Sequence, residues 1–313
     1  MRRRRGARPS RVRRRPWLRH GLRAALAVGA LVALWGFAWE PGRLTQRDYT
    51  LAIPHWPRAC EGLRLDVLAD IHTGSPHNGL DKLDVIVETL IGSDSDAVLI
   101  AGDFVILSVF GGTYIGPEPI AQRLSKLAAR KPVYAVLGNH DWWKDGPYIA
   151  RTFEAAGVRM LEDASTPALL DGCSVAIVGI GDAWEGNPDI PAAYAQVPAG
   201  MPVLALTHNP ILLRDIPPRT ALTLAGHTHG GQVALPLLGR PALWNEEHWG
   251  ATVGHIVEGG KHLFVTPGIG TSILPLRFGV PPEISRLTLR SLAMPASSGS
   301  DAQGRAAFAA NAD

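Results

Sequence analysis

Five short clusters stand out by residue type and spacing: Asp70-Ile71-His72, Gly102-Asp103, Gly138-Asn139-His140-Asp141, Thr207-His208-Asn209 and Gly226-His227-Thr228-His229-Gly230-Gly231-Gln232. Imidazole nitrogen and carboxylate oxygen are ligands for Mn, Fe, Zn and similar ions, and the clusters carry no thiolate to draw a site toward copper. His227 and His229 stand two apart between glycines, so they cannot share a helix face. In a loop without bulky neighbours they can address two different ions, and the glycines let the backbone approach closely. Taken singly, each cluster has an ordinary reading as a turn or a satisfied polar residue. Their common position in the chain decides otherwise.

Each cluster lies just beyond an apolar run. Residues 63–70, 96–103 and 133–141 read as strands that stop at a carboxylate, a Gly-Asp and a Gly-Asn-His-Asp, and 202–208 and 221–227 each stop at a histidine. Further strands are expected at 174–180, 262–266 and 284–290. Between them, Leu83, Ile86, Val87 and Leu90 have helical spacing, Pro117 suits the start of a helix running to about residue 130, and a third helix is expected at 148–156, ending at Gly157. Strands alternating with helices, with polar residues at the strand ends, describe an α/β enzyme whose ligands gather at the carboxyl edge of a sheet.

The ordered set DxH, GD, GNHD, (T/S)H and GHTH resembles the calcineurin-like metallophosphoesterase superfamily over about residues 62–290. The resemblance implies a four-layer αββα sandwich of two mixed sheets. It also implies two divalent ions (Mn, Fe or Zn), one held by Asp70, His72 and His229 and the other by Asn139, His208 and His227. Asp103 would bridge them, and His140 would sit beside the site without binding metal, protonating the leaving group or binding a phosphoryl oxygen. The implied reaction is hydrolysis of a phosphodiester or pyrophosphate bond by hydroxide formed between ions about 3.5–4 Å apart. Asp141 and Asp70 are expected to orient histidines, with a turn cap the competing role for Asp141.

Two departures matter. Phe104-Val105-Ile106-Leu107 follows Gly102-Asp103, where many superfamily members carry a further acid or Asn. The segments 236–241, 268–272 and 274–283, with Glu40-Pro41-Gly42, resemble a bacterial membrane-associated branch. That branch includes twin-arginine-exported phosphodiesterases and a UDP-2,3-diacylglucosamine pyrophosphatase of lipid A synthesis. Trp142 and Trp143 are equally suited to a substrate pocket and to the core. Arg277 suits a second phosphate or a pair with Glu283. His77, His248, His255 and His262 fall outside ligand motifs.

Charge is unevenly placed. Residues 1–23 hold eleven of the 31 Lys and Arg and no acid, so the remainder carries 20 basic against 28 acidic residues and sits near −8. An acidic body argues against a nuclease, and the intact ligand set argues against a non-catalytic scaffold. The uncharged run 24–39 is expected to enter a membrane as an anchor or signal. The arginines before it and Glu40 after it favour an N-terminus inside and a catalytic domain outside the cytoplasmic membrane. Arg14-Arg15-Pro16-Trp17-Leu18-Arg19 resembles a twin-arginine signal, and Gly36-Phe37-Ala38 is a cleavage candidate. An uncleaved anchor is the favoured reading, and a cytosol-facing body on a short monotopic anchor is the alternative. The organisation expected is an Arg-rich arm (1–23), the apolar segment (24–39), a linker (40–61), the catalytic domain (62–292) and a disordered tail (293–313). Substrates expected are phosphorylated small molecules or lipid-linked phosphates, not nucleic acid. Cys60 and Cys173 can pair in an oxidising compartment or stay as buried thiols.

Overall fold

The computed structural model describes residues 16–240 and 252–292; His248, most of the Arg-rich arm with Arg14-Arg15, and the tail from 293 lie outside them. The chain opens with α1 (Pro16–Leu34), followed by β1 (Thr45–Ile53), β2 (Arg64–Leu68), α2 (Leu80–Ile91), β3 (Ala97–Ala101), α3 (Pro117–Ala128), β4 (Val133–Val136) and α4 (Asn139–Ala155). The second half holds β5 (Arg159–Met160), β6 (Ala164–Leu170), β7 (Cys173–Ile180), α5 (Ile190–Tyr194), β8 (Val203–Thr207), β9 (Leu222–Ala225), β10 (Gly254–Glu258), β11 (Lys261–Val265) and β12 (Glu283–Ser291). One sheet has the order β1-β12-β2-β3-β4-β5 and the other β10-β11-β9-β8-β7-β6, six strands each. Both are mixed: β2, β3, β4 and β5 run parallel with β12 antiparallel to β2, while β7, β8, β9 and β11 run parallel between antiparallel β6 and β10.

Side-chain alternation makes the layers. Leu65 and Val67 of β2, Leu99 of β3, Leu204 and Leu206 of β8 and Leu222 and Leu224 of β9 meet between the sheets. Leu68, Val98 and Ile100 face the other way, against Leu83 and Ile86 of α2, Ile120 of α3 and Phe153 of α4. The outer face of the second sheet is covered more thinly, with Val178, Ile180 and Val203 packed under α5 and Ile216. This is the four-layer α/β sandwich expected.

One expectation needs correction. The segment 40–61 is not a linker, because β1 lies within it and pairs with β12 in parallel along all nine of its residues. Only Leu51 and Ile53 of β1 are buried and its first half is mostly exposed, so the strand has weak alternation and depends on a partner from the far end of the chain. The third helix expected at 148–156 forms the later part of α4, which itself begins earlier, at Asn139. Non-helical backbone at Asp145 (φ −174°), just before Gly146-Pro147, divides it in two.

Cys60 and Cys173 are disulfide-bonded. The bridge joins the turn before β2 to the first residue of β7, and so ties one sheet to the other at the amino ends of their parallel strands. A closure spanning 113 residues removes much unfolded-chain entropy. We expect C60S/C173S to lower the unfolding free energy by about 2–5 kcal/mol, read from urea unfolding.

A second stability prediction concerns Glu162, whose carboxylate accepts the Leu137 N–H at 2.6 Å. Burial pushes its pKa up to about 8. Because the folded state then holds this proton more tightly than the unfolded chain, stability falls as pH rises from the ordinary glutamate range toward 8, by about 1.4 kcal/mol per unit. Glu162→Gln keeps an acceptor for Leu137 and removes that slope. Its stability relative to the parent should therefore rise between pH 5 and pH 8 in paired urea titrations.

Candidate metal centre

All five clusters converge at one end of the sandwich. Asp70, Asp103 and Asn139 follow β2, β3 and β4 of the first sheet, and His208 and His227 follow β8 and β9 of the second. The parallel strands bring these carboxyl ends together across the gap between sheets. Five of the seven expected ligands, Asp70, His72, Asp103, His227 and His229, have left-handed φ between 44° and 67°. Non-glycine residues rarely adopt this region, and where they cluster in it the surrounding structure must hold them there. Gly138 is required by the same crowding, since a Cβ on it would collide with Asp103 Oδ1.

The donor atoms are close. Asp103 Oδ2 lies 3.4 Å from His72 Nε2 and 3.3 Å from His208 Nε2. His72 Nε2 is 3.2 Å from His229 Nε2, which is 3.5 Å from Asp70 Oδ1. On the other side, His208 Nε2 is 3.1 Å from Asn139 Oδ1 and 3.1 Å from His227 Nδ1. Ligands about 2.0–2.2 Å from a shared ion stand about 3–3.5 Å from one another, the spacing found here. Asp70, His72 and His229 thus form one group that can hold a cation, and Asp70, Asp103 and His208 form another. Every expected ligand is brought to the site.

The ring orientations are set by the backbone. His72 Nδ1 donates to the Val105 carbonyl at 3.0 Å and His208 Nδ1 to the Ala101 carbonyl at 2.7 Å. Both rings therefore turn their Nε2 toward Asp103. Without a cation, the neutral His72 would face that carboxylate with a lone pair. Burial opposes a charge on His208, yet Asp103 holds its pKa well above the ordinary value. Asp103, despite burial, is in turn held below the usual carboxylate range, first by His208. Burial lowers His72 and His227 to about 3 and pushes Asp70 up to about 7. The donor set fits a divalent ion, which satisfies these groups together.

Asp141 is a backbone cap and does not touch the histidines. Its carboxylate accepts the N–H groups of Gly138, Asp103, Phe104 and Val105 at 2.9–3.1 Å. It thereby fixes both the Asp103 loop and the start of α4. Asp70 likewise accepts the His227 N–H at 3.1 Å.

His140 Nδ1 accepts the Leu107 N–H at 3.0 Å, so the neutral ring carries its proton on Nε2. Burial lowers its pKa and keeps it neutral. The ring meets His72 edge-on at 4.6 Å and lies 5.2 Å from Trp143.

A cavity of about 310 Å³ opens over these groups, floored by Asp103, Asn139, His140, His227 and His229. Leu107, Trp143, Trp184, Ile211 and Ile273 form apolar walls, and among the described residues no Lys or Arg lines it. Trp143 is thus a wall residue, while Trp142 packs into the helix-side core. Trp184 was not foreseen. It meets His227 edge-on at 4.5 Å, and Trp143 Nε1 donates to neighbouring Glu185 at 2.7 Å. Arg277 is also corrected. Fully buried, it donates to the carbonyls of Gly270, Val280 and Pro267, neither free for phosphate nor paired with Glu283. It braces the loop whose Gly270 N–H bonds the Asp70 carbonyl at 2.6 Å. His77 donates to the Phe37 carbonyl, and His255 and His262 stack on each other in the β10–β11 hairpin.

Comparison with known proteins gives a consistent picture. The profile of the calcineurin-like phosphoesterase family matches residues 63–238. The metallophosphoesterase YkuE of Bacillus subtilis (strain 168) is 30% identical over 287 residues, covering 89% of this chain and 98% of the relative. The phosphodiesterase YaeI of Escherichia coli (strain K12) is 32% identical over 231 residues, covering 71% and 80%. Among solved structures, a 5'-nucleotidase precursor from Thermus thermophilus aligns with TM-score 0.41 and 14% identity over 65% of this chain. The chain spans about half of that protein's length (48%). With the family profile covering the strand ends that carry the clustered ligands, the chain belongs to the calcineurin-like phosphoesterase family and is a metal-dependent phosphoester hydrolase.

Proposed function

We propose that this chain hydrolyses a phosphodiester or pyrophosphate bond in a membrane- or envelope-associated substrate at a two-ion site. Asp70, His72 and His229 would hold one ion, Asn139, His208 and His227 the other, and Asp103 both. The observation that carries this reading is the position of Asp103 Oδ2, nearly equidistant from His72 Nε2 and His208 Nε2. Divalent ions there would supply Lewis acidity, neutralising phosphoryl oxygens and lowering the pKa of a coordinated water from about 15.7 toward about 7. His140 offers its Nε2–H as a hydrogen-bond donor to a phosphoryl oxygen or to the leaving oxygen. Asp141 keeps the Asp103 loop in place, and the Trp143 and Trp184 walls favour a substrate with an apolar portion.

The membrane setting is supported by the stretch Arg19–Gly42, long and apolar enough to cross a bilayer. Its end is built into the domain, with Arg277 N–H bonded to the Gly36 carbonyl and Lys82 to the Gly42 carbonyl, which favours an uncleaved anchor over a removed twin-arginine signal. The disulfide, which persists in oxidising compartments, supports a catalytic domain outside the cytoplasm. The alternative, a UDP-2,3-diacylglucosamine pyrophosphatase on the cytosolic face, sits less easily with that bridge.

Protein stripped with chelator should regain turnover of bis-p-nitrophenyl phosphate when Mn²⁺ is added. His140→Ala should lower kcat about 10²–10⁴-fold while metal content is retained. Absence of metal-dependent turnover, or an unchanged kcat in the variant, would overturn the assignment. Asp141→Asn, which removes acceptor capacity from the Asp103 loop, is expected to weaken Mn²⁺ binding about 10–100-fold in calorimetric titrations.

A further inference from the structure

Three loops meet beside the pocket mouth. The Phe110 N–H bonds the Ile273 carbonyl at 3.0 Å, Gln232 bonds the backbone of Ser272 in both directions at 2.8 and 3.2 Å, and the Ala234 N–H bonds the Phe278 carbonyl at 2.6 Å. The turn that follows α1 docks on the third loop, where the Arg277 N–H meets the Gly36 carbonyl at 3.0 Å and a Cβ on Gly36 would lie 2.7 Å from Leu276. The buried Glu40 carboxylate fastens that turn by accepting the Trp35 indole N–H at 2.5 Å. The three loops and the anchor's end therefore form one continuous surface. Ile273 belongs both to that surface and to the pocket wall.

The tips of this surface are apolar and, among the described residues, uncovered. Phe110 is 77% exposed, Leu238 80% and Leu237 fully exposed, and Leu274 and Trp39 are exposed as well. Packing among the described residues does not cover them. Leu237 has φ 69°, a conformation glycine or asparagine adopts at least cost, and the β-branched Ile273 has φ 64°. An exposed apolar patch held in unfavourable backbone points to a surface that something apolar covers.

Continuity identifies the occupant. The same surface leads into α1, whose Leu22, Leu26, Val28 and Leu31 are exposed over a stretch long enough to cross a bilayer. Trp35 and Trp39, at its end, are residues suited to the headgroup level. We propose that Phe110, Leu237, Leu238 and Leu274 insert into the headgroup–acyl boundary of the leaflet from which α1 emerges. The pocket mouth is thereby seated against the membrane, and the phosphoester it receives is carried on a membrane lipid. The substrate clause rests on the phosphoesterase reading above; the insertion does not.

The test uses the full chain in vesicles of phosphatidylethanolamine and phosphatidylglycerol. Since the native cysteines are paired, a nitroxide can be placed at Leu238→Cys, and as reference at Leu169→Cys, an exposed position on β6. The label at 238 should be more accessible to oxygen than to an aqueous nickel chelate and lie below the phosphate level, unlike the label at 169. Equal aqueous access at both positions overturns the proposal. L237E/L238E should lose at least about tenfold turnover of phosphatidyl-p-nitrophenol in the vesicles, while soluble bis-p-nitrophenyl phosphate changes less than about twofold. Equal loss on both substrates, or on neither, overturns the link between this face and substrate delivery. If the parent turns over neither compound, the phosphoesterase reading fails, and the nitroxide depths still decide the insertion.

Discussion

The carboxylate of Asp103 is the group on which the site's architecture turns. It is buried, carries charge, and is approached from both sides by imidazole nitrogens turned toward it by backbone carbonyls. The neutral His72 turns an Nε2 lone pair toward this carboxylate at 3.4 Å, and electron-rich atoms at that distance repel unless a cation joins them. The protein bears that repulsion, and the left-handed backbone of five converging residues, because the two sheets and the Asp141 cap leave the loops no other path. A cation placed among these donors would relieve that repulsion.

The two ends of the sandwich are built on different terms. At the amino ends of the parallel strands, ordinary close packing and the Cys60–Cys173 bridge hold the sheets in register. At the carboxyl ends, the ligands come from both sheets, so their mutual spacing depends on how the sheets sit together. A change in the sheet–sheet gap would separate His208 and His227 from Asp103 and Asn139. Fastening the sheets covalently at the far end protects a geometry made of charged loops, which cannot supply the packing themselves.

Much of this was legible in the sequence, because its strongest signals are local. An apolar run ending in a carboxylate or histidine states both a strand and its functional end, and all seven expected ligands and His140 lie where such runs placed them. What was hidden depends on remote partners. β1 has too few buried residues to declare itself and exists through its pairing with β12. The partners that orient His72 and His208 are main-chain carbonyls, which carry no residue identity. The charge on Arg277 suggested phosphate, but a guanidinium's fork of donors can equally organise a loop, and burial decides for that use. Trp184 does have a signal in the sequence: residues 174–180 run into Gly181-Asp182, the same strand–Gly–Asp pattern that marks Asp103. Asp182 then caps the turn carrying Trp184 by accepting its N–H at 2.8 Å.

The charge of the pocket constrains how a phosphoester can bind at all. Its lining holds carboxylate, amide and imidazole groups under apolar walls, with no Lys or Arg among the described residues. His140 contributes one neutral N–H donor, too little to offset the desolvation of a phosphate anion. Much of the attraction for the anion would then fall to bound divalent metal, so substrate affinity should follow metal occupancy. Recognition of the rest of the substrate falls to Leu107, Trp143, Trp184 and Ile273, which can reward an apolar or aromatic group and have no means of tracking a polyanionic backbone. Low-dielectric walls beside such a site would strengthen a bound ion's hold on phosphate and also bear on what the phosphate is attached to.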